Sequence, residues 1–162
     1  MKRCIPFMLL FTICLTITMS VDAQSNKQKK EILKMQVIKS VETRRFKIHV
    51  TDTHSNRGMN GGGIDGSVEI KDTLLISNLP YFGNIHGVQT DASQVGLNFQ
   101  SPTYDYLSSI LYDGTAKILF NARRDNEDFV YYIEITPKGK ATISVHSDKR
   151  SPASYSGELE FK

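Results

Sequence analysis

Residues 110–145, ILYDGTAKILFNARRDNEDFVYYIEITPKGKATISV, decide the fold. Asp113-Gly114 stands between two apolar runs and predicts a hairpin, because both central residues of such a tight turn must accept a positive φ. Apolar side chains then take every second position from Phe129 to Ile135 and from Ala141 to Val145, on either side of a turn at Pro137-Lys138-Gly139. Strands joined by short turns, with no helix between them, predict an antiparallel sheet.

The same alternation continues outward from this stretch. Residues 46–50 alternate between apolar and polar, an apolar run extends from Leu74 to Leu79, and the last strand carries Tyr155 and Leu159 on one side. The sequence therefore predicts a mainly β domain over residues 44–162. We expect an antiparallel barrel or a two-layer sandwich of about eight or nine strands.

A glycine-rich stretch runs from Gly58 to Gly66. Within it, the segment from Asn60 to Asp65 lacks only the first glycine of a calcium-binding nonapeptide. That motif binds ions by stacking many copies, and this chain has one. We therefore expect a flexible hairpin loop here.

An amphipathic helix is expected before the sheet, from about Lys29 to Arg44, within a polar N-terminal region over residues 24–43. Leu33, Val37 and Val41 fall four residues apart and form one apolar stripe. Residues 27–45 contain seven basic and two acidic side chains, a net charge of +5. Such a face is either solvated or docks on an acidic partner or on anionic lipid head groups.

The first 23 residues have the layout of a secretory signal peptide. A positively charged start precedes an apolar run over residues 5–19, which is shorter than the ~20 residues of a spanning helix. Val21-Asp22-Ala23 supplies small side chains for cleavage after Ala23, which predicts a periplasmic or secreted protein. A lipid-anchored signal needs a small residue before its cysteine, but Ile13 precedes Cys14, so no lipid anchor is expected.

Cleavage would leave 139 of the 162 residues, the size of one domain. Both cysteines, Cys4 and Cys14, would be removed, which excludes a disulfide, a thiol nucleophile and a thiolate metal site. Removal of Lys2, Arg3 and Asp22 leaves 18 basic and 16 acidic side chains, a net charge of +2. This balance argues against a dedicated nucleic-acid-binding protein.

No catalytic or metal-binding constellation stands out. The histidines have no metal-ligand spacing, and Asp52 with His54 lacks a third ligand. Asp125, Glu127 and Asp128 fall in a turn, where we expect them to be solvated and offset by the preceding arginines. We therefore predict no cofactor and no metal, and we lean against an enzyme.

Aromatic side chains are the candidate contacts for a ligand or a protein partner. Tyr81 and Phe82 follow a strand that ends at a proline, and either line a barrel mouth or cover the end of the sheet. Tyr104 and Tyr106 are expected on one face of a strand, with Asp105 on the other. Exposed, such rings could stack on a sugar or a lipid tail; buried, they belong to the core.

Three segments resemble a known family when taken in order: Asn78 to Gly83, Gly96 to Phe99, and Ser154 to Leu159. Together with the helix and Arg45-Phe46, they are similar to exported proteins of Bacteroidota that carry the domain of unknown function 4251. The resemblance covers about Lys34 to Phe161. It implies export and an all-β body, and it supplies no catalytic residues.

These observations favour a non-enzymatic binding or interaction module in the periplasm, whose partner is an unknown protein or a small apolar ligand. One alternative is a carrier for an apolar molecule, with an architecture like that of lipocalins. Such a carrier requires an interior cavity on the order of hundreds of Å³. Another is a cell-envelope hydrolase that uses Asp52 and His54. The basic helix is a further candidate for contact with acidic surfaces.

Overall fold

The computed structural model describes residues 27–54, 60–86 and 95–161, with side chains omitted at 60–62. The predicted signal peptide, its cleavage site and both cysteines lie outside the described residues. So do Gly58 and Met59 of the glycine-rich stretch.

Eight antiparallel strands form a closed barrel in which each strand pairs with the next and β8 pairs with β1. This confirms the mainly β prediction and selects the barrel over the sandwich. The strands are β1 (Arg45–His54), β2 (Asn60–Lys71), β3 (Leu74–Leu79), β4 (Leu97–Ile110), β5 (Ala116–Arg124), β6 (Glu127–Ile135), β7 (Lys140–Ser147) and β8 (Arg150–Leu159).

The barrel has two ends that differ in their covering. The helix end carries the N-terminal helix and the turns β2–β3, β4–β5 and β6–β7. The loop end carries the β3–β4 connection and the turns β5–β6 and β7–β8.

Large side chains fill the lumen. Phe120, Phe129, Tyr131 and Tyr155 are fully buried, and the rings of Phe120 and Tyr131 stack 5.0 Å apart. The hydroxyls of these two buried tyrosines have partners: Tyr131 donates to Ser77 Oγ at 3.2 Å, and Tyr155 donates to a backbone carbonyl oxygen at 2.8 Å. Burial raises the pKa of both phenols. The interior is therefore a packed core, and the inward position predicted for Tyr155 is confirmed.

The helix, α1, covers residues 27–42 of the described chain and ends two residues earlier than expected. It ends there because Arg44 takes a φ of 52°, outside the right-handed helical region. Val37 and Val41 are buried in the barrel core, which confirms that the apolar stripe packs on the domain.

The expectation of a flexible loop over residues 60–65 is wrong, because those residues begin β2. Gly61 pairs with Thr53 and Gly62 with Asp52, so the ladder of β1 and β2 extends into the glycine run. The register shifts between Val50 and Asp52, and Gly63 has a φ of +77°. The glycines therefore accommodate an irregular, bulged strand rather than a loop.

Candidate ligand-binding surface

Tyr81 and Phe82 lie side by side at the loop end but differ in exposure. Tyr81 is buried, and its hydroxyl lies 2.8 Å from the carbonyl oxygens of Asn84 and Ser151. Phe82 is exposed. Tyr81 thus covers the end of the barrel, and Phe82 is the member of the pair that a partner could reach.

Tyr104 and Tyr106 do not share a face, contrary to the prediction. Asp105 has a φ of 51°, and the pairing of β4 with β5 shifts between Tyr104 and Leu107. Such a bulge adds one residue to the strand and breaks the alternation of period two. Tyr104 therefore lies on the outer wall, whereas Tyr106 stacks on Phe120 of the core with ring centroids 6.1 Å apart.

Burial changes the acidity of the Tyr106 phenol. It raises the pKa of the phenol to about 12, and the Arg44 guanidinium lies 4.3 Å from the ring centroid. The four predicted contact residues therefore occupy three places: Tyr81 and Phe82 the loop end, Tyr104 the outer wall, and Tyr106 the helix end. They do not form one site.

A groove on the outer wall brings together residues that the sequence analysis did not single out. Leu107 pairs with Leu119 and Leu119 with Tyr132, so three apolar side chains form a row across β4, β5 and β6. Leu107 is 65% exposed and Tyr132 49% exposed. The groove encloses about 530 Å³ and is lined by Leu107, Ser108, Ser109, Lys117, Ile118, Leu119, Tyr132, Ile133, Glu134, Thr142 and Ser144.

The Tyr132 ring is fixed from one side and open on the other. The imidazole of His146 meets it edge to face, with centroids 5.6 Å apart and an interplanar angle of 84°. Such T-shaped contacts stabilise a ring orientation by about 0.5–1.5 kcal/mol. His146 is exposed on the polar face of β7, and here it positions an exposed aromatic ring.

Polar groups surround this apolar row. Lys117 Nζ lies 3.6 Å from Glu134 Oε2, and both side chains are about half exposed. Ser144 Oγ lies 3.1 Å from Ser154 Oγ, while Thr142 is exposed on the same strand. The groove thus offers an exposed aromatic ring, hydroxyl groups and one cation–anion pair to a ligand.

The candidate catalytic pair Asp52–His54 is arranged differently from an acid–base site. His54 Nε2 lies 2.8 Å from Ser156 Oγ, while Asp52 Oδ2 accepts a hydrogen bond from Thr51. The serine and histidine lie on the neighbouring antiparallel strands β8 and β1. Within the described residues, no three His, Cys, Asp or Glu side chains come together as a metal site.

The acidic turn between β5 and β6 contains one buried carboxylate, which corrects the expectation that all three are solvated. Glu127 accepts hydrogen bonds from Arg150 Nε at 2.8 Å and from Ser147 Oγ at 2.6 Å. The alternation of side chains that points Phe129 and Tyr131 inward also points Glu127 inward. The spacing in the sequence therefore already indicated that Glu127 is buried.

The neighbouring Asp128 is exposed and pairs with Arg123, as expected of the arginines that precede the turn. Hydrogen bonds from Arg123 and Tyr104 lower the pKa of the Asp128 carboxyl to about 2. Arg124 extends to the buried Glu127, at 3.9 Å.

Comparisons with known proteins agree with this fold. The chain matches the family described as Domain of unknown function (DUF4251) over residues 16–159. A crystal structure of a DUF4251 family protein from Bacteroides eggerthii DSM 20697 superimposes with a TM-score of 0.60 at 11% identity. The alignment covers 80% of this chain and 88% of that one. No curated protein matches the chain.

Proposed function

This chain belongs to the family of the domain of unknown function 4251, and from that premise we propose that it is an exported, non-enzymatic binding module. It binds a saccharide in the groove on the outer wall of the barrel. The observation that carries this proposal is the exposed aromatic ring of Tyr132, which contacts His146 edge to face and lies within a groove of about 530 Å³.

The exposed apolar row needs a reason, because it forms a contiguous patch rather than scattered single residues. Leu107, Leu119 and Tyr132 are direct cross-strand neighbours on three rigid strands. A site on a preorganised surface loses little conformational entropy when it binds. These features favour a binding surface over incidental exposure.

The groove chemistry favours a ligand with a flat face and a polar edge. The C–H face of a sugar ring stacks on an aromatic ring, and its hydroxyls hydrogen-bond to Ser109, Thr142 and Ser144. A lipid tail would instead desolvate the Lys117–Glu134 pair and those hydroxyls without compensation. The volume falls in the range of about 300–1,000 Å³ typical of small-molecule sites.

The packed lumen weighs against the interior carrier. Such a carrier needs a cavity inside the barrel, but the largest side chains of the core occupy that space. The groove and a second cavity, of about 600 Å³ beside α1, are both lined mainly by exposed or half-buried residues. The hydrolase alternative is favoured by no feature of the described residues beyond the His54–Ser156 contact.

Calorimetric titration with soluble oligosaccharides, namely cellohexaose, maltohexaose and tetra-N-acetylglucosamine, tests the proposal. Loss of one stacking ring is expected to weaken binding about tenfold or more in Tyr132→Ala. Tyr112→Ala is the matched control, because Tyr112 is fully exposed and lies outside the groove.

Equal loss in both variants, or binding of none of the three probes, would overturn the saccharide site. Native mass spectrometry of the chain purified from its host adds two readouts. A retained apolar molecule would restore the carrier, and an N-terminus other than Gln24 would contradict cleavage after Ala23.

A further inference from the structure

The helix end exposes large apolar side chains on two elements. On α1, Ile32 is 57% exposed and Met35 is 69% exposed. At the tip of the β4–β5 hairpin, Leu111 is 42% exposed and Tyr112 is fully exposed. These four residues are called the helix-end surface below.

The two elements of this surface are in contact. A Cβ built on Gly114, in the β4–β5 turn, would lie 2.5–2.9 Å from three side-chain carbons of Lys34. Gly114 has a φ of +92°, so glycine is required there both for the turn and for the close approach of the helix. The hairpin tip therefore packs against α1 at Lys34, so both elements lie at the same end of the barrel.

Lysines accompany this apolar surface. Over residues 27–42, α1 carries five lysines and two glutamates, a net charge of +3. Lys27, Lys29 and Lys30 are exposed at the N-terminal end of the described part of the helix. Their charges are therefore accessible to an anionic surface. The acidic groups nearby include Glu31 and Glu42 on α1 and Asp113, which accepts hydrogen bonds from Thr115. Three more line the cavity beside α1, and each pairs with a cation of the barrel: Glu69 with Lys71, Asp72 with Arg45 and Glu160 with Lys47.

We propose that the helix-end surface docks on a membrane that contains anionic lipids. The lysines contact the phosphate head groups, and Ile32, Met35, Leu111 and Tyr112 enter the boundary of the acyl chains. Within the described residues, no helix is long and apolar enough to cross a membrane.

Charge and geometry favour a lipid surface over the other occupants. A symmetric dimer through α1 would bring two helices of charge +3 together, and like charges oppose that contact. A protein partner must match the shape formed by a helix face and a hairpin tip. A fluid bilayer can contact the helix face and the hairpin tip without a matching shape, and its anionic head groups supply the negative charge that the lysines attract.

Cosedimentation with vesicles tests the proposal, using the chain purified after export from its host. Vesicles of phosphatidylcholine are compared with vesicles that also contain about a third of phosphatidylglycerol. We expect binding to the anionic vesicles only, and weaker binding in 1 M salt, where the screening length falls to about 3 Å.

Two double variants separate the charged and apolar contributions. Each lysine near an anionic surface is worth about fivefold in affinity, so Lys29→Gln/Lys30→Gln should weaken binding about thirtyfold. Ile32→Ser/Met35→Ser should weaken it at least about tenfold. Phe82→Ser is the matched control, since Phe82 is equally exposed but lies at the opposite end of the barrel. Unchanged circular dichroism and urea midpoints show that each variant folds.

Three results would overturn the proposal. They are equal binding to both kinds of vesicle, no binding to the anionic vesicles, and a concentration-dependent dimer that Ile32→Ser/Met35→Ser abolishes. Tyr132→Ala should bind vesicles like the unmodified chain, so failure of the saccharide site leaves this test unaffected.

Discussion

Replacing Glu127 by glutamine tests whether the loop end depends on its buried ion pair. Glu127 is 8% exposed, and the side chain of Arg150 is 4% exposed. One oxygen of Glu127 accepts hydrogen bonds from both Arg150 and Ser147. In Glu127→Gln the shape remains but the negative charge is lost, so the guanidinium of Arg150 loses its buried counter-charge.

The expected cost is large compared with the stability of a domain of this size. Removal of one partner from a buried ion pair costs about 3–5 kcal/mol, because the other charge remains desolvated. Glutamine keeps one carbonyl acceptor, and Arg150 also donates to the carbonyl oxygen of Val95 at 2.7 Å. We therefore expect about 3 kcal/mol of lost unfolding free energy, from the low end of that range. A domain is stable by only about 5–15 kcal/mol.

The neighbouring residue supplies a matched control. Asp128→Asn removes a carboxylate from the same strand and breaks a comparable arginine pair, with Arg123 Nη2 at 2.8 Å. Both side chains of that pair are at least half exposed, so water replaces the lost partner. The two variants differ chiefly in burial.

Equilibrium unfolding in urea measures both variants. We expect a clear drop in the midpoint for Glu127→Gln, a small one for Asp128→Asn, and the same slope m for both. Equal midpoints for the two variants would refute the reasoning. So would a midpoint for Glu127→Gln that matches the unmodified chain.

Two further predictions concern the β1–β8 seam and Asp128. A Cβ on Gly157 would overlap the carbonyl oxygen of His49 and lie 2.9 Å from Val50 Cα, so Gly157→Ala should cost about 3 kcal/mol in urea unfolding. The exposed Glu158→Ala serves as its control, and an unchanged midpoint for Gly157→Ala would contradict the contact. The low pKa of Asp128 adds stability that is fully present above pH 3.8 and is lost as the pH falls through about 2. Tyr104→Phe should raise the pKa of Asp128, measured by NMR titration of the carboxyl group. An unchanged pKa would show that the Tyr104 hydrogen bond has no influence on Asp128.

The sequence predicted the barrel strands well because periodicity reports which face of a strand is buried. Phe129, Tyr131, Ile133 and Ile135 all point inward, as expected from their spacing. At Gly157 the backbone of β1 approaches β8 closely, as a glycine inside a strand often indicates. Periodicity does not show which edge strands pair, so it could not decide between a barrel and a sandwich. The pairing of β1 with β8 in the structure identifies a barrel.

The course of β4 could not be predicted from the pattern. Its first half pairs with β3 as far as Pro102, and its second half pairs with β5 from Thr103 onward. The bulge at Asp105 lies just after this change of partner and rotates Tyr106 into the core. A bulge inserts one residue without a sequence signature, so the alternation read across Tyr104 and Tyr106 failed.

The groove was missed for a related reason. Leu107 and Leu119 each interrupt the polar pattern of an outer face once, and Tyr132 shares its outer face with one other apolar residue, Val130. Scattered exposed apolar residues of this kind are normal. Only the register of β4 with β5 and of β5 with β6 shows that they are neighbours. Register depends on tertiary pairing, which a single sequence does not encode locally.

The β4–β5 hairpin joins the two proposed surfaces. Its middle supplies Leu107 to the groove, and its tip supplies Leu111 and Tyr112 to the helix-end surface. Tyr112 is five positions after Leu107, which at about 3.4 Å per residue is at most about 17 Å. A chain docked on lipid through its helix end would therefore present the groove close to the head groups. The groove faces sideways from the barrel wall, so the two contacts do not exclude each other. Saccharide affinity measured on anionic vesicles should then equal the affinity in solution, and a loss on vesicles would show that the two surfaces compete.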